Sequence, residues 1–354
     1  MGAMMLGWMT TWAVRCGIAT YSSHLIENLS DKPIILAAND DQLVSGFRDG
    51  EIRCWEKNSS DFSLIIEKIK KNKIKKLVIQ HHPGQIIFND LNNFLLDLEN
   101  LGIEISITLH NTRERPLIFR KNRIDRAIEG LVKCKNIIVH SNEDVQRLLQ
   151  MGISKNVHII PHGIYPPPKK LVSIDLPAGR KIATFGFLLP NKGFRELITA
   201  FSILKEEGWD KLVMLCANRG DSEKELERCK KLIKRLNLEE DVILKTEFLD
   251  DEVAISTLSK CELVVFPYQK TKESASGAAR MAIAAGTAIA VTPLEIFSDL
   301  EGSIVLPGIS SSKIIDGIKN ISEEVINDSK LQITELRDRF QWNKIAEKYE
   351  KLIF

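Results

Sequence analysis

Short apolar runs alternate with amphipathic stretches from one end of the chain to the other, and this alternation limits the folds that the chain can adopt. A short apolar run is typical of a buried strand, and a longer amphipathic stretch is typical of a helix. Strands that alternate with helices form parallel sheets covered by helices. The sequence therefore predicts an α/β protein built of doubly wound, Rossmann-like domains.

A proline-rich segment, "YPPPKKLVSIDLPAG", divides this alternation into two series. Three successive prolines continue neither a helix nor a central strand. The chain has 354 residues, which is too many for one ordinary hydrophobic core. We predict an N-terminal domain at 1–165, a linker at 166–179, a C-terminal domain at 180–330 and a terminal helix at 331–354. That helix is expected to pack either back on the N-terminal domain or on the nearer one.

Composition excludes several classes of protein. The chain holds 49 Lys and Arg against 47 Asp and Glu, a balance unlike that of a dedicated nucleic-acid binder. Its six cysteines are scattered without a C-x-x-C pair, which indicates reduced thiols in a cytoplasmic protein. No apolar run reaches the length of a membrane span, and the N-terminus lacks the basic start of a secretory signal. We expect a cytoplasmic protein without nucleic-acid partners, and peripheral contact with the inner face of the membrane stays open.

Polar residues follow the predicted strands of the first domain. In open parallel sheets, ligands bind beyond the carboxyl ends of the strands. His81 and His82 end one strand and His110 ends the next, which predicts a polar cleft, although histidines at such positions are structural about as often. Gly17 follows the first strand, but no G-x-G-x-x-G motif surrounds it, so a dinucleotide site loses support. The histidines interpreted as structural are His24, His140 and His158.

Two loops of the second domain suit an anion. "KESASGAAR", residues 272–280, follows the strand "LVVFPY" and opens a helix of small residues. The first turn of a helix has unpaired N–H groups and the positive end of the helix dipole, so it can receive an anion; an ordinary helix cap is the alternative. Lys192 and Gly193 open the helix after the first strand of this domain. A lysine there suits a phosphate, and a surface position is the alternative.

Six motifs in order carry a resemblance to a known family: "RCGIATYSSHL", "TLHNT", "IIVHSNEDVQRL", "VHIIPHGI", "FGFLLPNKGFRELITAF" and "ESASGAARMAIAAGTAIAVTPLEIFSDL". Over nearly its whole length the chain resembles glycosyltransferases of the GT-B fold, and most closely the retaining family 4 group that uses nucleotide-sugar donors. The resemblance implies two Rossmann-like domains that face each other across a cleft. It also implies hexosyl transfer with retention to a glycan or lipid-linked acceptor, as in polysaccharide biosynthesis, without metal or cofactor.

The resemblance assigns roles to residues of this chain. The two expected catalytic residues are His110, near the transferring sugar, and Glu273, at the sugar hydroxyl groups. The donor diphosphate is expected at glycine-rich and cationic positions of both domains, and the acceptor at loops of the first domain. The expected donor-binding residues are Gly17, Ile18, Lys192, Gly193, Ser274, Ser276, Gly277 and Arg280, and the expected acceptor-side residues are His81, His82, Asn111 and Arg113.

Two positions depart from the family pattern. Phe187 stands where an arginine usually contacts the diphosphate, and Arg280, Lys270 or Lys272 could replace that cation. Met281 stands where the second acid of the E-x7-E motif usually lies. Two alternatives therefore remain, a GT-B nucleotide-sugar epimerase and a non-catalytic relative that binds nucleotide sugars or glycans. Four basic residues could meet an anionic or lipid-diphosphate acceptor or could simply be solvated: Arg113, Arg115, Arg120 and Lys121.

Overall fold

The computed structural model describes residues 5–40, 43, 51–113, 116–168, 170, 172–218, 222–271 and 276–354. These residues fall into two compact units. The N-terminal unit contains the chain up to Gly163 together with Trp342–Phe354, and the C-terminal unit contains Ile164–Thr271 and Ser276–Gln341. Of the segment predicted as a linker, the described residues form neither helix nor strand.

The N-terminal unit is built on a seven-stranded sheet in which all neighbouring strands are parallel. Its strands are β1 (Met5–Thr10), β2 (Ile34–Ala38), β3 (Glu51–Trp55), β4 (Ile74–His81), β5 (Glu104–Leu109), β6 (Asn136–Val139) and β7 (Val157–Ile159). Their spatial order is β3-β2-β1-β4-β5-β6-β7. The helices of this unit are α1 (Gly17–Asn28), α2 (Ser63–Lys71), α3 (Phe88–Asn100), α4 (Ile128–Leu131) and α5 (Asn142–Gln150). Two 3-10 helices, Leu117–Asn122 and Ile124–Ala127, precede α4.

The C-terminal unit has a six-stranded parallel sheet of order β10-β9-β8-β11-β12-β13. Its strands are β8 (Lys181–Phe187), β9 (Lys211–Ala217), β10 (Val242–Lys245), β11 (Leu263–Phe266), β12 (Ala288–Val291) and β13 (Ile304–Val305). Its helices are α6 (Phe194–Leu204), α7 (Glu223–Arg235), α8 (Asp251–Leu258), α9 (Gly277–Ala285), α10 (Ser311–Lys319) and α11 (Glu323–Arg339). The two parallel-sheet units match the predicted fold class, a pair of doubly wound, Rossmann-like domains.

The apolar strands are buried because helices cover both faces of each sheet. In β4 the three central residues Leu77, Val78 and Ile79 are each 1% exposed or less, so side chains on both faces are enclosed. In β11 all four residues are buried. Continuous burial of this kind explains why these strands read as unbroken apolar runs rather than as alternating ones.

Both sheets reverse their strand order at one place. In the N-terminal unit the chain runs outward from β1 to β3 and then returns to the other side of β1 as β4. In the C-terminal unit the same reversal lies between β8 and β11. The loops beyond such a reversal point diverge to opposite faces of the sheet and leave a crevice for ligands.

The chain from 331 to 354 is divided between two helices rather than forming one. The helix α11 ends at Arg339, and a second helix, α12 (Trp342–Ile353), belongs to the N-terminal unit and packs on α1. Between them the Phe340 carbonyl accepts a hydrogen bond from the Ile164 N–H at 2.8 Å. This extended bridge interrupts the helical pattern that the sequence shows.

The helix α12 is fixed to the N-terminal unit by a buried chain of hydroxyl groups. The Tyr349 hydroxyl lies 2.9 Å from the Tyr21 hydroxyl of α1 and 2.8 Å from Oγ1 of Thr108 in β5. Burial raises the pKa of Tyr349 to about 12, so its hydroxyl stays protonated at neutral pH. These hydroxyl groups therefore join α12 to α1 and to β5 of the sheet.

We expect Tyr349→Phe to lower the free energy of unfolding by about 1–2 kcal/mol, because it leaves two buried hydroxyl groups with one partner fewer. Tyr21→Phe should cost a similar amount. The double variant should cost less than the sum of the two, since both remove the same hydrogen bond. Urea denaturation of all four proteins measures this coupling, and strictly additive losses would contradict the hydroxyl chain.

Candidate functional site

In the C-terminal unit the loops at the reversal point follow β8 and β11. The loop after β8 contains a 3-10 turn at Pro190–Lys192, followed by Gly193 in the left-handed region at φ 73°. A Cβ atom at Gly193 would lie 1.8 Å from the Pro267 carbonyl oxygen, so only glycine fits. This close approach brings the loop after β8 against the residues that follow β11.

Lys192 is held within this contact and not extended into solvent. Its side chain is buried, and Nζ lies 3.9 Å from the centroid of the Tyr268 ring. A cation at this distance from an aromatic face is stabilised by the ring electrons, and burial strengthens the attraction. The sequence placed Lys192 near a helix start but gave no indication of Tyr268 as its support.

The hydroxyl group of Tyr268 contacts the start of α9. The Tyr268 hydroxyl lies 3.2 Å from Oγ of Ser276, which is the N-cap residue and accepts a hydrogen bond from the Ala279 N–H at 3.2 Å. The N–H groups of Gly277 and Ala278 have no acceptor within the helix, because they belong to its first turn. We call Lys192, Tyr268, Ser276 and Gly277 the candidate anion site. Glu273 and Ser274 lie outside the described residues.

The two positions that depart from the family pattern contact apolar side chains, and Arg280, a possible replacement for the missing cation, is paired inside the unit. Met281 is buried in the core of the C-terminal unit, where a carboxylate would be costly. The Phe187 ring centroid lies 6.2 Å from that of Phe248. Arg280 is buried and paired with Asp299, so its charge is balanced inside the unit. A donor-binding role for Arg280 stays a prediction.

In the N-terminal unit the reversal point lies between β1 and β4. The helix α1 starts at Gly17 directly after the loop that follows β1, and Cys16 does not cap it with its side chain. Gly17 is exposed, and no described atom lies within 4 Å of the position that a Cβ would take. Ile18 is half-buried in the first turn. The described residues therefore leave space beside Gly17, and a donor-binding role for Gly17 and Ile18 stays a prediction.

His81 and His82 have local partners in the loop after β4. The buried His81 donates from Nε2 to the Ile86 carbonyl at 2.8 Å, and burial lowers the pKa of its ring to about 3. His82 accepts a hydrogen bond at Nδ1 from the Gly84 N–H at 3.0 Å. Both bonds shape this loop, and an acceptor-binding role for the two histidines stays a prediction.

His110 forms part of a hydrogen-bonded chain. Its Nε2 lies 2.9 Å from Oε1 of Gln80, and its Nδ1 lies 3.1 Å from Nε2 of His140. His140 in turn places Nδ1 3.0 Å from the Ile160 carbonyl. The Tyr21 ring meets His110 edge-on with centroids 4.9 Å apart. His140, interpreted from the sequence as structural, is thus a direct partner of His110.

The protons of this chain can be counted. A carbonyl only accepts, so His140 must carry its proton on Nδ1. Three hydrogen bonds need three protons, whereas two neutral imidazoles carry two. Burial, and then the repulsion that positive charge on His140 or His162 would exert, hold the pKa of His110 well below its ordinary value, so its ring takes up no added proton at neutral pH. With both rings neutral, all three contacts are hydrogen bonds only if the Gln80 amide presents its nitrogen to His110, the reverse of the orientation in which Oε1 faces the ring.

The loop after His110 is a tight turn tied to α5. Oδ1 of Asn111 accepts a hydrogen bond from the Arg113 N–H at 2.9 Å. The next residue, Thr112, is hydrogen-bonded to the buried carboxylate of Asp144, which also forms an ion pair with Arg147. Thr112, the Ser141 hydroxyl and the Arg147 charge lower the pKa of Asp144 against the effect of burial. The predicted acceptor-side residues Asn111 and Arg113 are therefore part of a fixed loop.

The part of the chain that the structure describes shows neither a metal site nor a membrane span. No group of three His, Cys, Asp or Glu side chains there is arranged to hold a metal ion. No described helix combines the length and the apolar character that crossing a bilayer requires.

Comparison with known proteins adds to this geometry. Residues 176–344 match the family described as glycosyl transferases group 1. A stretch of 173 residues is 25% identical to the uncharacterized glycosyltransferase YqgM of Bacillus subtilis and covers 48% of this chain and 47% of that protein. The match thus spans about half the length of this curated relative.

Several solved structures resemble the whole chain. A glycosyltransferase from Rickettsia africae has a TM-score of 0.77 at 16% identity and covers 100% of this chain and 98% of its own. Anabaena HepE in complex with UDP has a TM-score of 0.76 at 14% identity, with coverage of 98% and 99%. A trehalose-6-phosphate structure from E. coli with bound UDP-2-fluoro glucose has a TM-score of 0.73 at 12% identity, with 98% of each chain covered. These similarities show the GT-B fold, and with the family match they support a GT-B glycosyltransferase.

The neutral, buried His81 makes stability depend on pH. An unfolded histidine has a pKa near 6.5 and binds a proton that the folded chain does not accept, so stability is lost as pH falls below about 6.5. The loss should be about 1.4 kcal/mol per pH unit from this residue alone. His81→Gln keeps a donor for the Ile86 carbonyl and removes the titration. Its urea-unfolding free energy should fall less between pH ~6.5 and ~5 than that of the wild type, and equal slopes would refute the assignment.

Gly193→Ala should destabilise the C-terminal unit by about 3 kcal/mol or more, because both the left-handed backbone and the Pro267 carbonyl oppose a Cβ. Gly208→Ala is the matched control, since Gly208 also has a left-handed backbone at φ 84° but no described atom within 4 Å of its Cβ position. That control should cost about 1–2 kcal/mol. Thermal denaturation compares the two, and similar losses would show that the approach to Pro267 is not tight.

Proposed function

We propose that this protein transfers a hexosyl group from a nucleotide-sugar donor to a glycan or lipid-linked acceptor, with retention of configuration. The observation that carries the proposal is the candidate anion site. It lies at the reversal point of the parallel sheet in the segment that matches glycosyl transferases group 1. The start of α9, the buried Lys192 and the turn at Gly193 together suit the diphosphate of a nucleotide sugar.

The departing nucleoside diphosphate is the charged product that the site must stabilise. As the bond between the sugar carbon and the diphosphate oxygen breaks, negative charge grows on that oxygen. The ammonium of Lys192 and the start of α9 are both in contact with Tyr268, so in this proposal they stabilise this charge with little rearrangement. The Tyr268 ring keeps Lys192 in place before the donor arrives. In this proposal Glu273 contacts the hydroxyl groups of the sugar.

His110 is proposed as a neutral, fixed contact of the transferring sugar and not as a general base. Both of its ring nitrogens are occupied, one by Gln80 and the other by His140. Its lowered pKa makes it a weak base and keeps it uncharged. A neutral ring suits this position, because a transferring sugar carries positive charge in the transition state and a cation beside it would oppose that charge.

The class of donor is inferred from the relatives. The Anabaena structure contains UDP, and the E. coli structure contains UDP-2-fluoro glucose. A further structural neighbour, a trehalose-6-phosphate synthase, is described in work on glycosyl transfer with retention. These neighbours support a nucleotide sugar as the donor and retention as the stereochemical outcome. We propose UDP or GDP as the nucleotide, and the two are compared directly in the experiment below.

We expect Lys192→Ala to weaken the binding of UDP or GDP about tenfold or more, because it removes a charge-assisted contact with the diphosphate. Lys260→Ala is the matched control, since Lys260 is exposed and lies before β11, at the opposite end of that strand. Titration calorimetry of the wild type and both variants measures the effect. Unchanged affinity in Lys192→Ala, or an equal loss in both variants, would reject the anion site.

A donor labelled with carbon-13 at the anomeric carbon tests the reaction itself. Transfer to an added glycan or lipid-linked acceptor should give a product whose anomeric configuration, read by NMR, equals that of the donor. Release of a sugar with a changed ring configuration and no acceptor requirement would favour the epimerase instead. Binding without any turnover would favour the non-catalytic relative.

A further inference from the structure

The loop between β5 and α4 presents apolar side chains to solvent. Its first 3-10 helix, Leu117–Asn122, contains Ile118, which is 84% exposed, and Phe119, which is 48% exposed. Among the described large hydrophobic residues, Ile118 is the most exposed. Exposed apolar side chains that are adjacent and project from a loop commonly mark a contact surface. We call residues 118–121 the apolar tip.

The apolar tip is surrounded by positive charge. Residues 118–126 contain four cationic side chains, Arg120, Lys121, Arg123 and Arg126, against one carboxylate, Asp125. Arg123 pairs with Asp125 at 3.2 Å. Arg120 and Lys121 are exposed and form no ion pair with any described residue. The tip therefore combines a hydrophobic end with uncompensated cations beside it.

The fold holds the apolar tip outward. The Asn122 side chain donates to the Pro83 carbonyl at 2.8 Å and accepts from the Phe88 N–H at 3.3 Å. Ile124, directly after the tip, is completely buried in the core of the unit. These anchors fix the base of the loop, so Ile118 and Phe119 do not fold back onto the core that accepts Ile124.

We propose that the apolar tip binds the surface of an anionic lipid bilayer. Ile118 and Phe119 would enter the boundary between headgroups and acyl chains, and Arg120 and Lys121 would contact the anionic headgroups. A protein partner is less well matched, because a hydrophobic interface core usually excludes charge whereas here cations adjoin the apolar pair. The tip follows β5, whose carboxyl end carries His110, so binding brings this edge of the sheet to the membrane. Its use for a lipid-linked acceptor rests on the proposed function, whereas the binding itself does not.

Sedimentation with lipid vesicles tests this proposal on the full chain. We expect binding to vesicles that contain phosphatidylglycerol with phosphatidylcholine, and little binding to phosphatidylcholine alone. R120Q/K121Q should reduce the binding about 25-fold, at about fivefold for each cation, and high salt should have a similar effect. I118S/F119S should reduce it tenfold or more while leaving the melting temperature unchanged, because neither side chain packs in the core.

Two matched controls separate the apolar tip from general surface properties. Leu331→Ser removes another exposed apolar side chain, since Leu331 is 61% exposed in α11. K70Q/K71Q removes two exposed lysines of the other basic run, in α2. Both controls should bind vesicles like the wild type. The proposal would be overturned if the protein bound neither type of vesicle or bound both equally. Equal losses of binding in the tip variants and the control variants would also overturn it. So would a protein that self-associates through Ile118 and Phe119, as shown by loss of self-association in I118S/F119S, and does not bind vesicles. If the protein bound vesicles but did not bind UDP or GDP, the membrane-binding proposal would stand and the proposed function would be rejected.

Discussion

The contact between Gly193 and the Pro267 carbonyl is the constraint on which the candidate site depends. Parallel strand order places the loops after β8 and β11 next to each other, but only a residue without a Cβ lets them touch. That contact sets the 3-10 turn that carries Lys192 and directs its ammonium onto the Tyr268 ring. Tyr268 then reaches Ser276, the cap of α9. A single steric condition thus aligns a cation with the positive end of a helix.

The N-terminal unit has the same architecture but places a cluster of neutral polar side chains at one edge of its sheet. The parallel pairing of β4, β5 and β6 brings polar residues to this edge, where His110 contacts Gln80 and His140. The lowered pKa of His110 keeps its ring neutral, and α12 supports the region through the hydrogen bond between Tyr349 and Tyr21. The His110 ring is neutral and held by two partners, whereas the candidate anion site of the C-terminal unit contains the positive charge of Lys192.

Much of this arrangement could be predicted from the sequence. Apolar runs of strand length and the helices between them gave both sheets, because local periodicity determines which segments are buried. The starts of α6 and α9 could be found from Gly193 and Ser276, since glycine and serine are common N-cap residues. Tyr268 and Gln80 could not be found, because each acts through a partner distant in sequence. The break between α11 and α12 was equally hidden, since it depends on a bridge from Ile164 to the Phe340 region. The burial of Arg280 with Asp299 also depends on tertiary packing that no local pattern indicates.

A crystal structure of the protein with bound UDP or GDP tests the central claim most directly. The account predicts that the diphosphate lies at the start of α9, with its oxygens within hydrogen-bonding distance of the Gly277 N–H and of Nζ of Lys192. It also predicts that Tyr268 keeps its contact with Lys192 in the complex. A nucleotide bound elsewhere, with the start of α9 empty and Lys192 still confined to the Tyr268 ring, would contradict it.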